Sequence, residues 1–340
     1  MEIQKVLVIQ TAFIGDVILA TALIEKLHRF YPNAKIDFLL RKGNESLLAN
    51  HPYLRKVWIW DKKSGKYTSW LKLAQQIRAE KYDTVINCQR FASSGLLTVL
   101  SKAKQTVGFN KNPFSFLFTR SIQHKIGPGN SRFGLPYYHE VDRNLDLIDH
   151  LTDRSAEKPA LYPGSSSQQN AQDIGAHPYV CIAPTSVWHT KQWPAEKWIA
   201  LIKKIPDSVT IYLLGGTEDA HACENIQKNA SHQRIHNLAG KINLLTSAAL
   251  MKEARMNFVN DSSPMHLASS VNAPVTAVFC STVPQFGFTP LSDQAIIWEL
   301  ETPLDCRPCG LHGKKECPYQ HFKCAVEIKI PNALTYLPLS

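Results

Sequence analysis

Several things are missing from this sequence, and each absence excludes something. No apolar run approaches the ~18 residues that a membrane-spanning helix needs. The opening Met1-Glu-Ile-Gln-Lys5 leads into only a short apolar stretch, Val6–Ile9, with no small-residue cleavage site, so no secretory signal is expected and the chain is expected in the cytoplasm. There is no G-x-G-x-x-G, which argues against the dinucleotide fingerprint. An Asp-x-Asp pair that would hold a divalent cation on a diphosphate is also absent. Acidic residues are scarce, with 28 Asp and Glu against 38 Lys and Arg, a formal charge of +10. That surplus favours anionic partners: nucleic acid, an anionic membrane surface or phosphorylated substrates.

At 340 residues the chain is long for one hydrophobic core, and two domains are expected. Short apolar, β-rich runs alternate with helically spaced ones. Val6–Ile9, Ile36–Leu40, Val57–Trp60, Thr84–Asn87 and Thr106–Phe109 read as strands of a first unit, and Val17, Ile18, Leu23, Ile24 and Leu27 as one face of a helix. Between Thr152 and Pro178 the pattern dissolves into Pro, Ser, Gln, Asn and Gly. It resumes at Tyr179–Ala183, Val209–Leu214, Met256–Asn260 and Val275–Phe279, and weakens beyond Pro284. The expectation is α/β: two Rossmann-like domains, 1–160 and 179–325, joined by a linker at 161–178 and followed by a C-terminal segment, 326–340. Such units bind ligands at the C-terminal ends of their strands, in a cleft between the domains.

Three constellations fall at those strand ends. In Gln10-Thr-Ala-Phe-Ile-Gly15-Asp16, Gly15 allows a tight turn and Asp16 follows at a helix N-terminus, either as a functional carboxylate or as a cap worth about 1 kcal/mol. In Ala183-Pro-Thr-Ser-Val-Trp-His-Thr-Lys191-Gln-Trp-Pro194, Thr185 and Ser186 offer hydroxyls. Lys191 there precedes a helix opened by Pro194, a combination suited to a diphosphate. In Asn260-Asp-Ser-Ser-Pro-Met-His266-Leu-Ala268, Ser262 or Ser263 can cap a helix, Asp261 can accept sugar or ribose hydroxyls, and His266 lies on the first turn, facing either ligand or core. The loops Gly215-Gly216-Thr-Glu218-Asp219 and Leu238-Ala239-Gly240 add glycines at which a flat base and ribose can approach the backbone.

Taken in order, Ile14-Gly15-Asp16-Val17, Lys191-Gln-Trp-Pro194, Gly215-Gly216, Leu238-Ala-Gly240 and the 260–268 block resemble the ADP-heptose:lipopolysaccharide heptosyltransferases over nearly the whole chain. The one departure in the most specific block is Ser263, where that family usually has glycine. The resemblance implies a GT-B architecture, with the acceptor held by the N-terminal half and the nucleotide sugar by the C-terminal half, and with the last residues crossing back onto the first domain. It places Asp16 at the position of the catalytic base, and Lys191 and Asp261 at nucleotide-sugar ligands. The transfer would be inverting and would need no metal for catalysis: one carboxylate deprotonates the attacking hydroxyl while Lys191 and helix N–H groups stabilise the departing diphosphate. The acceptor would be an anionic glycolipid core at the inner membrane face. Lys62, Lys63 and Arg120 are candidates to meet its charges, with Lys66, Arg90 and Arg132 further cations of the same half.

The tail carries Cys306-Arg-Pro-Cys309, Cys317 and Cys324. In a reducing compartment four such thiols read as a structural tetrathiolate for zinc or iron, with His312 and His321 as competing ligands, or as plain reduced cysteines. Two other functions compete. A nucleic-acid-binding protein would use the charge and a four-cysteine metal module, but the cations are scattered rather than gathered in a stripe, so no nucleic acid is expected. A non-catalytic nucleotide-sugar binder would have no use for an acid at position 16.

Overall fold

The computed structural model describes residues 3–62, 68–175 and 178–331, which divide into two compact units, Met1–Tyr162 and Pro163–Ser340. Lys63 and Lys66 lie outside the described residues, as do 332–340 of the C-terminal segment.

The first unit runs β1 (Lys5–Ile9), α1 (Ile14–Phe30), β2 (Lys35–Arg41), β3 (Leu54–Trp60), α2 (Thr68–Ala79), β4 (Thr84–Asn87), α3 (Ala92–Leu100), β5 (Gln105–Phe109), β6 (Arg120–Ile122) and α4 (Glu140–Asp146). Its strands form one parallel sheet in the order β3-β2-β1-β4-β5-β6. Val6–Ile9 are fully buried because β1 is central and covered on both faces, which is why it reads as an unbroken apolar run. α1 packs against α4 as well as the sheet, so its buried surface extends beyond a single stripe. Where β5 returns towards β6, Asn112 donates to the carbonyls of Gln89 (2.9 Å) and Phe91 (3.1 Å), tying the loop after β5 to the loop after β4. Gly95 makes room for that tie: a Cβ there would stand 2.0 Å from Asn112 Oδ1.

The second unit runs α5 (Ser165–Ile174), β7 (Tyr179–Ala183), α6 (Ala195–Ile202), β8 (Thr210–Leu213), α7 (Ala220–Asn229), β9 (Ile235–Asn237), α8 (Leu244–Glu253), β10 (Asn257–Asn260), α9 (Ser263–Ser270), β11 (Val275–Phe279), β12 (Ala295–Glu299) and α10 (Lys323–Val326). Its parallel sheet has the order β12-β11-β10-β7-β8-β9. Counted within each unit, both sheets therefore have the strand order 3-2-1-4-5-6, with the order reversing between β1 and β4 and between β7 and β10. Trp193, Trp198 and Trp298 form the aromatic centre of the second core; Trp193 and Trp198 meet edge to face with centroids 5.0 Å apart.

One boundary differs from expectation. The segment 161–178 expected as linker holds α5, which packs on α8 through a face including the buried Ser167 and Ala171. Of the C-terminal segment, Ile328 is buried in the core of the second unit and its carbonyl accepts from Lys197 Nζ at 3.1 Å, while the last residues, expected to cross back, lie outside the described ones. Among the described residues no helix is long and apolar enough to cross a membrane.

Candidate active site

In the first unit the loop leaving β1 carries Asp16 as the third residue of α1. The N-cap residue is Phe13, so Asp16 is not itself the cap; its carboxylate reaches back to accept the Phe13 N–H at 3.1 Å. Burial raises its carboxyl to about 6, and nearby Glu140 adds to the rise, against the pull of the Phe13 N–H and Arg41. Proximity to a helix N-terminus favours the charged form, but here desolvation wins. Glu140, at the start of α4, is held by Arg143 (Nε to Oε2, 2.6 Å) and was not anticipated, since nothing local in the sequence ties it to Asp16. Gln10 and Gln89, both buried, bond to each other across the point where the strand order reverses.

The acceptor candidates separate. Lys62 follows β3 and donates to the Thr11 carbonyl and hydroxyl, both at 3.1 Å, on the same loop as Asp16. Burial and Arg41 lower its ammonium. Arg120 opens β6, exposed, on a cleft of about 380 Å³ with Lys125, Asp149, His150 and Arg154.

In the second unit the loops after β7 and β10 converge. Lys191 Nζ lies 2.7 Å from Asp261 Oδ2, and Thr282 Oγ1 donates to the same oxygen at 2.6 Å. Lys191 is thus paired rather than free, which the sequence reading of a diphosphate lysine did not foresee. Asn260 locks the two loops: it accepts the Trp193 N–H at 2.9 Å and donates to the Thr185 carbonyl at 3.3 Å. Ser262 occupies the N-cap of α9 but makes no capping bond; its hydroxyl lies 3.5 Å from the Thr185 carbonyl. The Ser186 carbonyl accepts from Gln192. His266, on α9, is buried with Nδ1 lacking a partner, and burial, then Lys191, lower it to about 3, so it is neutral at physiological pH.

The loop after β8 is closed by Asp219, which accepts the Gly216 N–H at 2.7 Å and so serves its own turn. Glu218 instead lines a cleft of about 530 Å³ with Thr217, His221, Glu224, Asn237 and Lys241. Gly240 has φ +72° and donates to the Gly215 carbonyl at 3.0 Å; a Cβ on it would meet Thr217 Cα at 2.8 Å. Ala239 beside it donates its N–H to Asn237 Oδ1.

The tail lies against the Lys191 loop. Thr190 N–H donates to the Lys314 carbonyl (3.1 Å), Lys314 N–H donates to Thr190 Oγ1 (2.8 Å), and the Ser281 hydroxyl also donates to Thr190 Oγ1. All eight cysteines are free thiols. Burial pushes the Cys324 thiol up to about 12, and Cys309, Cys317 and Cys306 are near enough to add to that rise. Cys306 Sγ faces His321 Nε2 at 3.8 Å. Among the described residues, however, no three His, Cys, Asp or Glu side chains are arranged to hold a metal ion, so the expected tetrathiolate is not formed in this structure.

The loops that carry Asp16 and Lys191 thus occupy equivalent places in two similar sheets, and comparison with known proteins supplies the family. The model of glycosyltransferase family 9 (heptosyltransferase) matches residues 70–321. Lipopolysaccharide heptosyltransferase 3 of Escherichia coli is 28% identical over 283 residues, 79% of this chain and 82% of that protein. E. coli ADP-heptose lipopolysaccharide heptosyltransferase II superposes with a TM-score of 0.73 at 21% identity, covering 90% of this chain and 96% of that one. The dodecameric iron-containing glycosyltransferase TibC of enterotoxigenic E. coli shares the fold at a TM-score of 0.52 and 14% identity, covering 95% of this chain and 72% of that one. With parallel α/β units of the GT-B fold and a family match across most of its length, the chain belongs to glycosyltransferase family 9, the heptosyltransferases.

Proposed function

We propose that this glycosyltransferase moves heptose from ADP-heptose to an anionic lipopolysaccharide-core acceptor, with inversion and without a catalytic metal. The observation that carries the reading is the pair of loops at the two points of strand reversal: one bears a carboxylate raised to about 6, the other a lysine on an aspartate. Asp16 takes the proton of the attacking acceptor hydroxyl, and a value near 6 leaves it ionised yet basic at neutral pH. Lys191 exchanges part of its contact with Asp261 for the diphosphate, and the N–H groups opening α9 stabilise the developing charge. Thr185, Ser186, Ser262 and neutral His266 complete that side. Gly216, Glu218, Ala239 and Gly240 form the base and ribose side, with Asp219 bracing its own turn. Lys62 and Arg120 meet acceptor anions.

The test is turnover of ADP-heptose with a lipopolysaccharide-core acceptor by the parent and by Asp16→Asn. The variant is expected to lose about 10²–10⁴-fold in kcat while still binding ADP-heptose. Near-normal turnover would reduce Asp16 to a brace of its helix. Anomeric analysis of the product checks inversion.

A further inference from the structure

The whole charge surplus sits on one unit. Met1–Tyr162 holds 24 Lys and Arg against 14 Asp and Glu, whereas Pro163–Ser340 holds 14 of each. The same first unit also exposes large apolar side chains at its strand-end loops. Phe13 after β1 is 58% exposed, Phe91 after β4 53%, and Phe116 and Leu117 in the loop after β5 are 79% and 50%. The last two stand side by side on a single turn, Ser115–Leu117, in the run Lys111-Asn-Pro-Phe-Ser-Phe-Leu-Phe-Thr-Arg120. Phe118 turns inward beneath Gly108 and anchors the turn, which directs its two neighbours out. Cations are interleaved with these side chains. The Arg41 guanidinium lies 4.8 Å from the Phe13 ring centre and that of Arg90 5.8 Å from Phe91, while Lys111 and Arg120 flank the turn. The loops are joined to one another, through Asn112 to the 89–91 loop and through Gln89 to Gln10.

Adjacent, highly exposed apolar side chains set among cations form a contiguous apolar tip rimmed by positive charge, the kind of surface that marks an interaction site. They match an anionic bilayer, whose headgroups attract the cations while Phe116 and Leu117 enter the acyl boundary. We infer that the first unit docks on an anionic lipid surface, with Phe116 and Leu117 as the inserted tip and Lys111, Arg90 and Arg120 as its electrostatic collar. This deepens and rests on the proposed glycolipid acceptor. The loops that grip the membrane are those joined to the Asp16 loop, so the acceptor sugar would be met where it emerges from the bilayer.

The test is co-sedimentation of the full chain with vesicles of phosphatidylglycerol and phosphatidylcholine in equal parts, and with phosphatidylcholine alone. The parent is expected to bind the anionic vesicles and to release as salt rises. Phe116→Ser combined with Leu117→Ser is expected to lower the partition coefficient about tenfold. Lys111→Glu is expected to weaken binding to anionic vesicles alone. Since both tip residues are exposed, the double variant should keep the parent's unfolding midpoint, and its transfer of heptose to a soluble, delipidated acceptor should be unchanged. Equal binding to both vesicle types, no binding by the parent, or a double variant that binds as tightly as the parent would overturn the docking surface. Loss of transfer to the soluble acceptor by the parent, with vesicle binding intact, would instead fault the acceptor reading.

Discussion

A carboxyl raised to about 6, as Asp16 is, takes up its proton near the lower edge of the pH range in which enzymes commonly work. As a base it must be ionised, so kcat/KM should fall as pH descends through about 6, and the Asp16→Asn variant should lack that limb. Stability follows the opposite trend. The folded value lies above the ordinary carboxylate value of 3.8, so between about pH 4 and 6 the folded state holds a proton that the unfolded chain has released. Stability from this group is therefore greatest below pH 4 and is lost as pH rises through 6. Asp16→Asn, which can still accept the Phe13 N–H, should stabilise the protein at pH 7 by about 1–2 kcal/mol. A lower Tm for the variant at pH 7 would contradict the origin assigned to the shift. Lys191 behaves differently. Its removal leaves Asp261, 4% exposed, with Thr282 but without its cation. Lys191→Ala should therefore weaken ADP binding about tenfold or more and also lower Tm. Lys191→Met with Asp261→Asn should recover Tm but not ADP affinity, which separates the phosphate role from the structural pair. Asp16, Lys191 and Asp261 could be singled out because each sits in a local pattern of strand end, turn and helix start. Their pairings could not, nor could Glu140 and Thr282, because these contacts form only once the sheets have assembled.

Among secondary-structure elements the same division holds. The nine strands expected from the sequence are present, and those overlooked are β6, β9 and β12. All three are edge strands; β6 and β9 are three residues long and carry no apolar run, whereas β12 does carry one, Ala295–Trp298, which was passed over in the segment after Pro284 where the alternation of strands and helices weakens. α5 was hidden for a related reason: Ser165–Ile174 is rich in Ser and Gln, and its helical face is supplied by its packing on α8 rather than by its own composition. The tail cysteines were conspicuous, but their place against the Lys191 loop was not. If they close on zinc or iron, purification under reducing conditions should yield about one equivalent of metal, and chelation should lower Tm. Because Lys314 pairs with Thr190 next to Lys191, chelation should also weaken ADP binding several-fold. Elemental analysis without metal, alongside four titratable thiols in that segment, would leave the cysteines as simple side chains.

At the scale of the molecule, the charge divides between the units, with +10 on the first and balance on the second. Ionic strength should therefore act unequally on the two substrates. On the proposed reading, KM for the anionic acceptor should rise steeply with salt, whereas the affinity for ADP, assigned to Lys191 and backbone N–H groups, should decline less. Equal salt slopes for both ligands would contradict that division. The attachment of the loop after β5 bears on how such an enzyme changes over evolutionary time. Asn112 holds the loop by bonds that a single methyl on Gly95 would displace, whereas positions 113–117 beyond it are mostly open to solvent. The base of the loop is thus intolerant of change, while its tip carries little of the fold. Natural selection, or a designer, can exchange the tip as a cassette and adapt the enzyme to a different envelope while the reaction centre stays as it is.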